Sequence, residues 1–125
     1  AMDARCNQVY VALFCIEDGK VERLTEEECL KTDEAARMLS EYDDDIMLVG
    51  DGAFIMKKAT DNEGMENVKI APDPLRYQTG YGVCLAAVNA PQLTPEQLMP
   101  MYLKLPQAQR ELMAKNAEAY KERKE

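Results

Sequence analysis

Apolar side chains fill Val9 to Ile16 without interruption, eight positions rich in β-branched and aromatic types. A run of that length is too short to span a membrane and predicts a strand covered on both faces. Glu17-Asp18-Gly19-Lys20 follows, and Asp-Gly tolerates the positive φ angles of a two-residue hairpin loop, so Val21 to Leu24 is predicted to return alongside in the middle of a sheet. Thr25 to Leu30 either extends the second strand or bends into a short third one. The apolar strand arrives within the first ten residues with no leading element to cover it, so an upstream element is expected to be missing.

Downstream the period changes. Thr32 is a predicted N-cap, with Asp33 and Glu34 in the first turn where the helix dipole favours negative charge. The helix runs from about Asp33 to Glu41, and Ala35, Met38 and Leu39 form its buried stripe. Asp43-Asp44-Asp45 delivers the chain into Ile46 to Val49, a predicted parallel inner strand. Gly50-Asp51-Gly52 turns this strand into a helix starting near Ala53, with Phe54, Ile55 and Ala59 as core candidates and Lys57 and Lys58 outward. After a loop over Asp61 to Asn67, Val68 to Ala71 is an inner or edge strand closed by Pro72. Asp73 can cap a turn with Pro74 at N1. Tyr77 to Asn89 then reads as helical despite Gly80 and Gly82, which mark close packing or a start only at Tyr81. Thr94-Pro95-Glu96-Gln97 is a capping-box start, Met101 to Leu105 crosses something apolar, and a last helix is predicted from Gln107 to about Arg123 with little to bury beyond Met113.

The order is two or three strands, then alternating helices and strands, which gives an α/β class: an antiparallel hairpin joined to parallel βα units. That order fits a ribonuclease H-like lobe of the actin and sugar-kinase architecture, and several other α/β folds as well. The expected organisation is one lobe over 1–105 and a helical tail over 106–125. A chain of 125 residues suits a single core.

Composition narrows the chemistry. Net charge is −8, with acids clustered at Glu26 to Glu28 and Asp43 to Asp45, and such a surface repels phosphates, so no direct nucleic-acid contact is expected. The acid runs read as a solvated face and a helix-entry loop. No apolar run approaches the roughly 20 residues of a membrane span and no secretory signal is visible, which gives the expectation of a cytoplasmic protein. Cys6, Cys15, Cys29 and Cys84 show no C-x-x-C spacing. Cys15 and Cys84 lie in apolar runs where a thiol behaves as a small hydrophobe, and all four are expected to be reduced.

There is no histidine and a single serine, Ser40, so a hydrolytic triad has no base and no zinc site has an imidazole. Gly50-Asp51-Gly52 is the one stretch with ligand-binding potential. A strand, a glycine turn and a helix N-terminus together present N–H groups to an anion, and Asp51 is fit to help hold hydrated Mg²⁺ beside phosphates. It lacks the Lys-Ser/Thr of a P-loop and the third glycine of a dinucleotide fingerprint. Asp3 and Arg5 lie two apart and point to one side of an extended segment, where they can pair with each other or across elements.

Asp3-Ala4-Arg5 followed by Val9-Tyr10 resembles the D-A-R-x-x-x-V-Y segment that opens the second lobe of the TsaB (YeaZ) family. Pro100 to Glu111, with Tyr102, Leu103 and Lys104, resembles the P-x-Y-L-R-x-P-x-A-x-R-E signature that closes those proteins, and Leu48 to Ala53 sits where they have a strand and G-x-G. Lys104 stands where arginine is usual, which weakens any bidentate contact there. The tail beyond Glu111 matches no pattern of that family. The resemblance implies the C-terminal, ribonuclease H-like lobe of a TsaB-like protein, a non-catalytic relative of TsaD that binds it, with the ATPase TsaE, in making threonylcarbamoyladenosine on tRNA. Relatives are also called glycoprotease or M22 peptidase-like. It further implies that a missing N-terminal lobe carries the TsaD contacts, that Asp3, Arg5, Tyr10, Pro100, Tyr102 and Lys104 help hold that lobe or a partner, and that no cofactor is needed. The alternative is a nucleotide-binding or hydrolase-type domain using Gly50, Asp51 and Gly52.

Overall fold

The computed structural model describes residues 1–88, 90–106 and 108–113. In chain order the elements are β1 (Met2–Arg5), β2 (Gln8–Val11), β3 (Phe14–Glu17), β4 (Lys20–Arg23), β5 (Glu28–Lys31), α1 (Thr32–Leu39), β6 (Ile46–Leu48), α2 (Ala53–Asn62), β7 (Val68–Ile70), α3 (Asp73–Arg76) and α4 (Gly80–Ala87). Strands β1, β2 and β5 form an antiparallel sheet in that order, β3 and β4 an antiparallel ribbon, and β6 and β7 a parallel pair. The class is therefore mixed α/β, as the order of patterns predicts.

The turn from β1 to β2 runs through Arg5, Cys6 and Asn7 at φ 64°, 54° and 55°. Left-handed backbone costs an L-residue roughly 1–2 kcal/mol, so this turn needs fastening. The Asp3 carboxylate provides it, accepting the Arg5 N–H at 2.7 Å and pairing with the Arg5 guanidinium at 3.2 Å. Thr32 N–H adds a bond to the Asn7 carbonyl at 3.0 Å, joining the turn to the start of α1.

The predicted long hairpin exists but is broken in the middle. Val11 pairs with Glu28 and Phe14 with Arg23, so three steps on one arm face five on the other and two residues bulge out. Leu13 holds the junction, its carbonyl accepting Leu24 N–H at 2.8 Å and its N–H donating to Thr25 Oγ1 at 2.9 Å. Asp18 and Gly19 take φ 49° and 75°, the primed turn that the sequence predicts. Thr25 to Leu30 contributes a separate third strand, β5. Coverage on both faces is overturned: Val9 and Val11 are buried, but every residue of β3 and β4 is exposed because the ribbon runs past the helices. Cys15 is accordingly exposed, as is Cys84, and neither acts as a core hydrophobe; all four thiols are free.

Helix α1 begins one residue earlier than predicted. Lys31, not Thr32, occupies the cap, and its N–H donates to Glu34 Oε2 at 3.1 Å. Ala35 and Leu39 are buried as expected, Met38 is half-buried and Ala36 joins them. The parallel pair is anchored by Ile46 N–H to Asn67 O at 2.9 Å and Ala71 N–H to Leu48 O at 3.0 Å. Asn67 Nδ2 also donates to the carbonyls of Tyr42 and Asp44, clasping the acidic loop. In α2 the stripe is Ala53, Met56 and Thr60, not Phe54 and Ile55, which are exposed; Lys57 and Ala59 are half-buried. The predicted face is off by one helical position because α2 meets the sheet and α1 along its 53–56–60 edge.

One core joins Val9 and Val11, Ala35 and Leu39, Ile46 and Leu48, Ala53 and Met56, and Val68. Beyond Ala71 no described residue is buried. Pro72 caps α3, with Pro74 in its first turn, in place of the predicted Asp73 cap. Helix α4 is shorter than the predicted Tyr77 to Asn89, starting at Gly80 because Thr79 Oγ1 accepts Gly82 N–H at 3.1 Å; Asn89 lies outside the described residues. Thr94 N–H donates to Gln97 Oε1 at 3.0 Å, so the box bond forms on a turn and not on a helix. Met101 and Tyr102 are exposed, while Leu103 and Lys104 are half-buried. The final segment is helical over 108–113, and the rest of the predicted tail lies outside the described residues.

Candidate functional site

The sequence-predicted residues converge on β1. Gly50, between β6 and α2, has φ +94°, and a Cβ there would sit 2.1 Å from the Ala1 carbonyl oxygen, so only glycine fits. A Cβ on Gly52 would lie 3.0 Å from the Met2 carbonyl carbon. These close approaches let the start of β1 run beside the end of β6. The Ala1 amine donates to Val49 O at 2.6 Å, Gly52 N–H donates to Ala1 O at 3.2 Å, and Asp3 N–H donates to Asp51 Oδ1 at 3.0 Å. Asp51 thus acts as a side-chain acceptor that closes the seam between the two sheets. Burial lowers the Ala1 ammonium's pKa below its ordinary value, and the Asp51 charge offsets this in part.

An anion cradle at Gly50-Asp51-Gly52 would need the N–H groups of this turn to be free. Gly50 N–H donates to Arg76 O at 2.6 Å, Gly52 N–H to Ala1 O, and Ala53 N–H to Gly50 O at 3.2 Å. Three N–H groups at this turn, those of Gly50, Gly52 and Ala53, are thus bonded to the chain itself, and an Asp51 oxygen already accepts a backbone bond.

The closing motif reaches the same place. Lys104 Nζ donates to the Ala4 carbonyl at 3.0 Å, across one hundred residues of sequence. Asp3, Arg5, Asp51, Gly50, Gly52 and Lys104 are therefore gathered around one strand. Tyr10 is half-buried on the neighbouring strand opposite Met2 and Cys29. Pro100 and Tyr102 are exposed, the latter at 85%, and stand apart from the seam.

Sequence reasoning missed Arg76. Its guanidinium lies 4.6 Å from the Phe54 ring centroid and 4.9 Å from that of Tyr77, and it pairs with Asp73 at 2.6 Å. Its Nε is buried with no hydrogen-bond partner among the described residues. The i, i+3 spacing of Asp73 and Arg76 was the available signal; the stacking on Phe54 comes from the tertiary approach of α3 to α2.

Chemically, the seam fastens backbone to backbone. Its polar side chains are engaged in structural bonds: a carboxylate on a turn, a carboxylate on a strand N–H, an ammonium on a carbonyl. No cluster of metal-ligating side chains is formed among the described residues. No helix among them is long and apolar enough to cross a membrane. In comparisons with known proteins, the chain matches no family model, no curated protein and no solved structure.

Proposed function

We propose that the chain is a non-catalytic, ribonuclease H-like lobe of a TsaB-like scaffold, which supports a TsaD homologue during tRNA threonylcarbamoylation in the cytoplasm. The observation that carries this reading is the Lys104–Ala4 bond, which joins the segment resembling the family's opening motif to the one resembling its closing motif. A contact between the two motif-bearing segments is what this reading requires.

The strand arrangement adds support. An antiparallel β5-β2-β1 sheet whose first strand is hydrogen-bonded to the end of β6, followed by parallel β7, suits such a lobe. So does the absence of histidine from a chain whose acidic and basic groups at the candidate site are bonded structurally. In this reading the lobe's exposed motif residues, Pro100 and Tyr102, meet the N-terminal lobe or an assembly partner, and the contacts with TsaD belong to that other lobe.

Reconstitution tests the proposal. A two-lobed protein containing this chain, mixed with TsaD and TsaE homologues, is expected to restore tRNA modification, whereas the chain alone in its place is not. Restoration by the chain alone overturns the assignment of partner contacts to the other lobe; failure of the two-lobed protein overturns the family reading. A thermal-shift titration with ATP and Mg²⁺ addresses the nucleotide alternative, since a ligand at 100 times its Kd adds about 2.7 kcal/mol to stability. No shift is expected at millimolar nucleotide.

A further inference from the structure

Aspartate is followed by glycine twice in the chain, as Asp18-Gly19 between β3 and β4 and as Asp51-Gly52 between β6 and α2. An aspartyl carboxyl and the backbone nitrogen of the next residue are spaced to close a five-membered ring, and a glycine in second place has no side chain to hinder the approach. The same dipeptide therefore carries the same latent chemistry at two places, and the fold treats the two differently.

At Asp51-Gly52 both reacting groups are held. Asp51 Oδ1 accepts Asp3 N–H at 3.0 Å and Gly52 N–H donates to Ala1 O at 3.2 Å, so carboxyl and nitrogen are each engaged across the seam, and Gly52 is buried. At Asp18-Gly19 neither is held. Both residues are exposed, and among the described residues the Asp18 carboxylate has no hydrogen bond or ion pair and the Gly19 N–H no acceptor. A Cβ on Gly19 would meet nothing within 4 Å. The strands that carry this tip bury no residue, and a two-stranded hairpin is at best marginally stable by itself. Local opening at such a place is easy, and it frees the carboxyl to swing toward the nitrogen.

We propose that Asp18 is a site of spontaneous isoaspartate formation and that the seam shields Asp51 from the same reaction. The Gly19 nitrogen attacks Cγ of the protonated Asp18 carboxyl. An N–C bond forms, the C–OH bond breaks, and the hydroxyl leaves with the N–H proton as water, giving a succinimide. Water then opens the ring. Attack at Cγ restores aspartate, whereas attack at the Asp18 carbonyl carbon breaks the original peptide bond and leaves the chain running through Cβ and Cγ. One water is released and one consumed, so no further reactant is required. The product lengthens the backbone of a two-residue turn by one atom, which no longer suits the pairing of Glu17 with Lys20. Because β3 and β4 contribute nothing to the buried core, the change stays within the ribbon. The inference does not depend on the functional proposal, since it concerns the covalent chemistry of the folded chain.

Peptide mapping of the aged full chain tests it. The folded protein is warmed below its unfolding transition at mildly acidic pH and digested with trypsin, and electron-transfer fragmentation distinguishes aspartate from isoaspartate in the peptides Cys6 to Lys20 and Met38 to Lys57. Isoaspartate is expected at position 18 in at least about tenfold excess over position 51, where two seam bonds must break first. In denaturing urea the two positions are expected to age at similar rates. Asp18→Glu keeps the charge but would have to close a six-membered ring, and it is expected to leave position 18 unmodified. Equal ageing of the two positions in the folded chain, or faster ageing at Asp51, would show that the seam does not shield and would overturn the proposal. An excess at Asp18 that persists undiminished in urea would assign the difference to neighbouring sequence and not to the fold, and would overturn it as well. So would the absence of isoaspartate from position 18 in the folded chain, which would show that the turn holds the two groups apart.

Discussion

Helices α2 and α4 follow the two parallel strands, β6 directly and β7 by way of α3, and they are treated in opposite ways. α2 carries Lys57, Lys58 and Asp61 within ten residues, yet it buries Ala53, Met56 and Thr60. α4 carries no charge in eight residues and buries none of them. Spacing separates them more than apolar content does. α2 offers one narrow edge of small and flexible side chains that fits against α1 and the sheet, with charges on the other side. α4 is apolar in every direction, so its sequence specifies no single contact face. The same division runs through the chain: up to Ala71 the strands other than β3 and β4 share one core with α1 and α2, and after it none of the described residues is buried.

Truncating one side chain from each region is the sharpest way to break this comparison. Met56 is wholly buried, and Met56→Ala is expected to cost about 2–5 kcal/mol in urea unfolding through lost burial and the cavity left behind. Leu98 is 71% exposed, and Leu98→Ala is expected to change stability by no more than about 0.5 kcal/mol. Equal costs would mean that the later region is as firmly packed as the earlier one.

Gly50→Ala probes the seam that lets the first region close on itself. The substitution meets two obstacles, a φ of +94° and a carbonyl oxygen 2.1 Å from the new Cβ. Left-handed strain alone costs roughly 1–3 kcal/mol, so a loss of about 2 kcal/mol or more is expected. Hydrogen exchange at Gly52 and Asp3 should speed up with it, because their N–H groups bond across the seam. An unchanged exchange pattern would show that β1 is held by β2 alone.

Much of this first region was legible in the sequence. The Asp18-Gly19 turn, the stripe of Ala35 and Leu39, and the parallel pairing of Ile46 to Leu48 all follow from local period and turn chemistry. What escaped was set at long range. The bulge at Leu13 arises from fitting two pairing registers into one hairpin, and the exposure of β3 from where the helices stop. Phe54 looked like core because it is large and apolar, but the helix is rotated by one position and the ring lies beside Arg76 instead. Of the candidate site, Asp3 and Arg5 do pair as their spacing allows, whereas the reach of Lys104 to Ala4 is invisible in any window of sequence. Gly50 was legible as a turn, and its close approach to Ala1 was not.

The smallest expected effect separates the regions by titration. Burial depresses the pKa of the Ala1 ammonium below 8.0, so with the chain beginning at Ala1 the unfolded form takes up its proton first as the pH falls below that value. Between the lowered folded pKa and about 8.0 the unfolded state binds more protons, and stability therefore rises with pH across that window. Acetylating the amine removes the titration while leaving an N–H for Val49 O, and the slope should vanish. In the later region the sign is the same, but the window lies at acid pH. The Glu96 carboxyl is held below its ordinary 4.5 by its own backbone N–H and by the Thr94 hydroxyl, so any contribution is present above that value and lost as pH falls through the folded pKa. Because Glu96 is fully exposed, water screens it, and Thr94→Ala is expected to leave the stability profile between pH 6 and 8 unchanged while acetylation flattens it. A slope that survives acetylation would place its source outside the seam, and the buried end of β1 would no longer distinguish the two regions.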